Sequence, residues 1–258
     1  MKRIKLVAAY DGTNYHGSQI QNNGETIEGV LKAELSSLLK EEINLIGASR
    51  TDAGVHARGN VYVFDTESRI PPEKFTYALN ARLPEDIRIQ DSCEVPADFH
   101  PRHQDTIKTY EYRILNCKLP LPEYRLYAHF TYDNLDVEKM KAACSFFLGE
   151  HDFASFCAAG SQIESTVREI YDLHVEKSGD LVTISVTGNG FLYNMVRIIA
   201  GTLLKVGSGH ILPEEIEGII AGKDRQLAGP TAPAKGLTLV KIRYPKYEET
   251  VNLPNKNP

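Results

Sequence analysis

Read for hydrophobic periodicity, the chain runs through one order of elements twice, and that order limits its fold more than any single motif does. An apolar run over 4–10 predicts a strand, with Asp11-Gly12-Thr13-Asn14 as its exit turn. Ile27, Val30, Leu31, Leu35 and Leu38 then recur at helical spacing. A strand ending at Ala48 and another ending at Asp65 follow. Pro71-Pro72-Glu73 opens a second helix, since proline suits the first turn, and Phe75, Ala78 and Leu79 give it an apolar side. Residues 87–95 predict a fourth strand. The order β-α-β-β-α-β is the split βαβ, or ferredoxin-like, pattern.

The second half repeats the order. Residues 109–115 alternate like a strand, with Tyr110, Tyr112 and Ile114 on one face. Asp136 is placed to cap a helix carrying Val137, Met140, Cys144 and Phe147, closed by Gly149. Strands over 169–176 and 181–187 flank Lys177-Ser178-Gly179-Asp180, a hairpin turn. Met195, Ile198, Ile199, Thr202, Leu203 and Val206 follow helical spacing, ended by Gly207. A short helix begins near Pro213, and 236–244 is a last strand before Pro245. The expected fold class is therefore α+β, with two RRM-like βαββαβ halves built on mainly antiparallel sheets. The expected boundaries are 1–104 for the first half, 105–246 for the second and 247–258 for a polar tail. The halves share element order, not evident sequence identity.

Composition bounds the function. At 42% hydrophobic and 24% charged residues the chain is ordinary for a globular protein. Cys93, Cys117, Cys144 and Cys157 form no CxxC pair, which fits reduced thiols and a cytoplasmic location. The apolar run after the basic start is too short for a signal core or a membrane span. The net charge of −5 is unevenly spread. No acid lies between Asp180 and Glu214, and 221–246 carries Lys223, Arg225, Lys235, Lys241, Arg243 and Lys246 against Asp224 alone. That pattern allows a basic, nucleic-acid-binding face, and equally a solvated charged face that binds nothing.

The stretch richest in chemistry is Gly47-Ala48-Ser49-Arg50-Thr51-Asp52-Ala53-Gly54-Val55-His56-Ala57-Arg58-Gly59, which joins two predicted strands. Loops of this kind commonly present functional groups from a rigid scaffold. Taken alone, it is either such a site or a polar turn in which Asp52 caps backbone amides. In the later helix, Arg197 lies off the apolar stripe, on a side shared with Asn194 and Gly201. The glycine one turn away would let another backbone or a ligand come close. Arg197 reads either as a buried ion-pair donor or as a surface arginine whose stem covers apolar neighbours. Competing motifs fail. Asp11-Gly12-Thr13 lacks a second aspartate at Ala9 for phosphotransfer, Asp52-Ala53-Gly54 lacks the hydroxyl of an aspartic-protease turn, and His100-Pro101-Arg102-His103 has no completing cluster for a metal. There is no Walker or dinucleotide glycine loop.

The motifs in order carry a resemblance. Tyr10-Asp11-Gly12-Thr13 with Gln19 comes first, followed by Arg50-Thr51-Asp52-Ala53-Gly54-Val55-His56-Ala57 and Lys108-Thr109-Tyr110-Glu111-Tyr112. Phe153-Ala154-Ser155-Phe156, Gly190-Phe191-Leu192-Tyr193-Asn194-Met195-Val196-Arg197 and Ala232-Pro233-Ala234-Lys235-Gly236-Leu237 complete the series. Over 5–245 the chain resembles the TruA-type tRNA pseudouridine synthases. The resemblance implies a cofactor-free, metal-free isomerase that works as a homodimer on uridines 38, 39 and 40 of the tRNA anticodon arm. It also implies that the sheets of the two halves meet at a central active-site cleft. By motif position, Asp52 matches the catalytic nucleophile, Tyr110 the tyrosine against the target base, and Arg197 the arginine that pairs with the aspartate. Arg50 matches the arginine that helps hold the extruded nucleotide, and His56, Arg58 and Asn194 fall at substrate-binding positions. Two departures stand out. Ser18 follows Gly17 where the family usually has tryptophan, and Ser49 precedes Arg50 where it usually has glycine. A reading of a different class is a non-catalytic RNA-binding protein with tandem RRM-like halves. Such a protein would have no need of Asp52, and the RRM aromatic signature is absent.

Overall fold

The computed structural model describes residues 1–160 and 164–247, so the tail expected over 247–258 lies, from 248 on, outside the described residues. The chain divides into two compact units, Lys108–Thr238 and a first unit made of Met1–Ile107 with the chain from Leu239 on.

The first unit begins with β1 (Lys2–Tyr10), α1 (Ile27–Leu39), β2 (Ile46–Gly47), β3 (His56–Thr66), α2 (Phe75–Asn80) and β4 (Ile87–Val95). The expected βαββαβ order is present, and the strands lie in the order β4-β1-β3, with β2 on the far side of β3 and every one of these pairs antiparallel. Alternation explains which face of β1 is covered: Ile4, Leu6, Ala8 and Tyr10 are buried together. In α1, Ile27, Leu31 and Leu35 form the buried stripe, each leucine contributing about 2 kcal/mol of apolar transfer. Thr26 caps the helix, its hydroxyl accepting from Gly29 N–H at 3.2 Å. The strand expected up to Ala48 is only two residues long. After it the backbone turns away to form the loop that carries Asp52.

The second unit holds β5 (Ile107–Asn116, within this unit from Lys108), β6 (His129–Thr131), α3 (Val137–Cys144), β7 (Gly149–Asp152), β8 (Val167–Ser178), β9 (Leu181–Gly188), α4 (Met195–Gly207) and α5 (Glu215–Gly222). Strands run in the order β5-β9-β8-β7, all antiparallel, and β6 joins β5 in parallel. On β5, Tyr110, Tyr112 and Ile114 are buried on one face, as their alternation requires. In α4 the whole stripe from Met195 to Val206 is buried. Asp136 caps α3 by accepting from Lys139 N–H at 3.1 Å. That α-helix is shorter than the spacing predicted. It ends at Cys144, a 3-10 turn covers Ser145–Phe147, and Gly149, at φ +91°, opens β7 instead of closing the helix. The short strands β6 and β7 carry too few residues for any period to show.

The last strand, β10 (Leu237–Arg243), enters the first unit at Leu239, where it lies beside β3. Gly59 of β3 permits that approach, since a Cβ there would come 2.9 Å from Val240 O. Tyr244 anchors the segment, donating its hydroxyl to Pro101 O at 3.1 Å and meeting Phe99 edge-on at 5.0 Å. The expectation had this strand closing the second half. No helix among the described residues is long and apolar enough to cross a membrane.

Candidate active site

The expected site residues fall in both units. Arg50, Asp52, His56 and Arg58 belong to the first, Tyr110, Asn194 and Arg197 to the second.

In the first unit, the loop between β2 and β3 is built on a buried polar scaffold. At its centre is Asn60, fully buried in the middle of β3, where asparagine is disfavoured unless its amide is used. Its Oδ1 accepts from Val61 N–H at 3.0 Å and Ser49 N–H at 3.3 Å. Its Nδ2 faces Ser49 O at 3.0 Å, the Tyr10 hydroxyl at 3.1 Å and the Tyr62 hydroxyl at 3.3 Å. The Tyr10 hydroxyl also meets Thr51 Oγ1 at 2.8 Å. Burial pushes the Tyr10 phenol up to about 12 and raises that of Tyr62 as well, so both stay neutral, hydrogen-bonding groups. From this base the chain turns through Asp52, whose carbonyl accepts from Val55 N–H at 3.1 Å, with Gly54 at φ +76°. Asp52 itself is half-buried; Arg50 and Arg58 are exposed.

The turn that ends β1 lies against this loop. At Gly12 a Cβ would stand 2.0 Å from Val55 O, so only glycine allows the contact. His56 is buried, and its Nδ1 lies 3.1 Å from Gly12 N–H and 3.1 Å from Asp11 Oδ1. The two contacts exclude each other: the amide needs a bare Nδ1 to accept, whereas the carboxylate attracts a protonated one. His56 therefore ties the Asp11-Gly12-Thr13 turn to the loop. Arg102 supports the loop from the other end, donating from Nε to Gly47 O at 2.6 Å. Its burial and the nearby Arg50 charge lower its basicity.

In the second unit, the Arg197 guanidinium is oriented on two sides. Nε donates to Ala232 O at 2.7 Å and Nη1 donates to Asn194 Oδ1 at 2.7 Å. Asn194 stands at the N-cap of α4 with φ 60°, a conformation asparagine tolerates, but its side chain makes no capping bond and serves Arg197 instead. The close approach foreseen at Gly201 is made by backbone. A Cβ at Gly201 would lie 1.8 Å from Pro230 O, and one at Gly229 would lie 2.6 Å from Thr202. Thr202 Oγ1 accepts from Gly229 N–H at 2.9 Å, Ala232 N–H donates to Arg197 O at 3.1 Å, and Arg225 Nη1 donates to Gly229 O at 2.9 Å. This strapping holds the Ala232 carbonyl where Arg197 needs it. Tyr110 is 8% exposed and meets Phe191 edge-on with ring centroids 5.2 Å apart.

Sequence reasoning missed Asn60 and the 228–232 strap, and named Ser18 only as a departure from the motif. An asparagine at the head of the apolar run 61–64 and the Gly229-Pro230 pair were the available signals. Among the described residues no group of three His, Cys, Asp or Glu could hold a metal ion.

One unit holds a carboxylate on a rigid buried base, and the other holds an oriented guanidinium and an aromatic pair. The family model described as tRNA pseudouridine synthase matches residues 6–104 and 143–245. Curated proteins named tRNA pseudouridine synthase A align almost end to end. The one from Ruminiclostridium cellulolyticum is 51% identical over 95% of this chain and 100% of its own length. Those from Thermoanaerobacter pseudethanolicus and Brevibacillus brevis are 49% and 48% identical with the same coverage. The chain therefore belongs to the tRNA pseudouridine synthase family.

Proposed function

We propose that this protein converts uridine to pseudouridine in the anticodon arm of tRNA, at positions 38, 39 and 40, with Asp52 as its nucleophile. It acts as a cytoplasmic homodimer and requires no cofactor. The observation that carries the reading is the Asp52 loop. A half-buried carboxylate is held on a base of buried, mutually hydrogen-bonded side chains, an arrangement suited to chemistry and beyond what RNA binding requires.

The reaction breaks the N1–C1′ bond, turns the base, joins C5 to C1′ and releases the C5 hydrogen as a proton, while N1 gains one. Addition of the Asp52 carboxylate to the base or to the sugar carbon divides one hard step into easier ones. It has to be ionised to add. Arg197, oriented by Ala232 and Asn194, is the cation assigned to pair with it. Tyr110, braced by Phe191, offers a ring for the flipped base, and Arg50 helps hold the extruded nucleotide. His56, Arg58 and Asn194 complete the substrate-facing set.

The test uses tRNA tritiated at uridine C5 and follows tritium release together with the modified positions. Asp52→Asn keeps the volume and removes the charge. It should still bind tRNA, because phosphate contacts dominate affinity, and should release no tritium. Arg197→Ala should slow release by orders of magnitude. A folded Asp52→Asn protein with near-normal turnover would end the nucleophile assignment and leave RNA binding as the function.

A further inference from the structure

The residue before Asp52 is gripped by a single serine. Ser18, in the segment between β1 and α1, is 3% exposed. Its N–H donates to Thr51 O at 3.0 Å. Its Oγ accepts from Thr51 N–H at 2.8 Å and donates to Ser49 O at 3.3 Å. The hydroxyl thus bridges the peptide groups on either side of Arg50, and the Ser18 amide holds the peptide that leads into Asp52. Ser18 is itself rooted in α1, where its carbonyl accepts from Glu28 N–H at 2.9 Å. Gly17 makes the approach possible: it sits at φ +90°, and a Cβ there would stand 2.7 Å from Thr51 O.

Ser49 provides the contrast. It is 6% exposed, and its hydroxyl is buried with no hydrogen-bond partner, although its backbone groups are used. Ser18 and Ser49 are therefore hydrogen-bonded neighbours beneath the same loop, one hydroxyl fully engaged and the other idle.

We propose that the Ser18 hydroxyl is a positioning group for the reaction, setting where Arg50 and Asp52 leave the backbone without touching the substrate. The inference rests on the reading of Asp52 as nucleophile. Removing the hydroxyl strands a buried Thr51 N–H, and the Arg50–Thr51 peptide turns to find another acceptor. The carboxylate then meets the uridine off line, and a misplacement of about 1 Å is worth about a hundredfold in rate. Affinity for tRNA, set by phosphate contacts over a wide surface, is untouched.

The experiment measures single-turnover tritium release at saturating enzyme, tRNA affinity by filter binding, and thermal melting. The proteins are the wild type, Ser18→Ala, Ser49→Ala and Asp52→Asn, all assayed well below their melting temperatures. Ser18→Ala should lose about ten- to a hundredfold in rate with affinity within about twofold, and Ser49→Ala should keep the wild-type rate. A folded Ser18→Ala protein at the wild-type rate overturns the proposal. Equal losses in the two alanine variants also overturn it, because any damage to the pocket would then serve. An active Asp52→Asn protein instead removes the reading beneath it, and is told apart by its own rate.

Discussion

Gly201→Ala is a one-methyl change whose consequence follows from a single distance. The new Cβ would stand 1.8 Å from Pro230 O, far inside any real carbon–oxygen contact. Neither side yields easily. Gly201 lies within the buried face of α4, and the Pro230 segment is held by Gly229 N–H on Thr202 Oγ1 and by Arg225 on Gly229 O. The strap therefore has to lift by more than about 1 Å, and overpacking of this kind costs about 1–3 kcal/mol. Lifting it also breaks or lengthens the 2.7 Å bond from Arg197 Nε to Ala232 O and the 3.1 Å return bond from Ala232 N–H. Each is worth about 1–2 kcal/mol, the charged one the more. The sum is about 3–7 kcal/mol, and at about 2–4 °C per kcal/mol for a chain of this size, melting should fall by about 6–28 °C. Arg197 should lose its orientation with it, so single-turnover tritium release should drop at least about tenfold even where the protein is folded. Circular dichroism melts and the tritium assay read the two effects separately. A melting temperature within about 1 °C of wild type, with normal release, would refute the claim that glycine is required for the strap to reach α4.

Two further outcomes follow from the charges. Arg3 donates to both oxygens of Asp65, from Nε at 2.8 Å and Nη2 at 2.7 Å, and this hydrogen bonding holds the Asp65 carboxyl below its usual range. A depressed folded-state value gives stability that is present above the unfolded carboxylate value and is lost as pH falls through the folded one. Asp65→Asn should therefore cost about 0.5–1 kcal/mol at neutral pH, given the partial exposure of both groups, and the difference should vanish in acid; a difference that persists below about pH 2 would point to shape instead. Binding of tRNA should weaken steeply with salt, with a log–log slope of magnitude about 4 if about five phosphates are neutralised. Arg225 should not contribute to that slope, because its guanidinium is engaged with Ala228 O, Gly229 O and Thr231 Oγ1. Arg225→Lys should lower the melting temperature and leave the slope unchanged, and a slope reduced by about one would assign Arg225 to the RNA.

What was legible in the sequence is what local periodicity encodes. Burial of alternate residues on β1 and β5, and of every third or fourth residue on α1 and α4, is written directly in the spacing of apolar side chains, so the element order over 2–95 and the buried stripe of α4 could be read from spacing alone. Capping of α3 by Asp136 is equally local. Asp52 stood out as a functional group only through its motif; pattern alone left it balanced against a polar turn.

The tertiary structure decided which distant groups meet. Gly12 against Val55, Asn60 beneath Ser49, Ser18 on Thr51 and Gly201 beneath Pro230 are contacts between segments far apart in sequence. No period of 2 or 3.6 residues records such pairs, because they depend on strand register and on how a returning segment crosses a helix. A glycine in the sequence leaves room for a close approach, and only the folded chain says what makes it. The sequence by itself thus determined the longer elements and their buried faces. The polar bonds that aim Arg197 and hold the loop of Asp52 were decided by packing, since a buried donor takes whichever acceptor the fold brings to it.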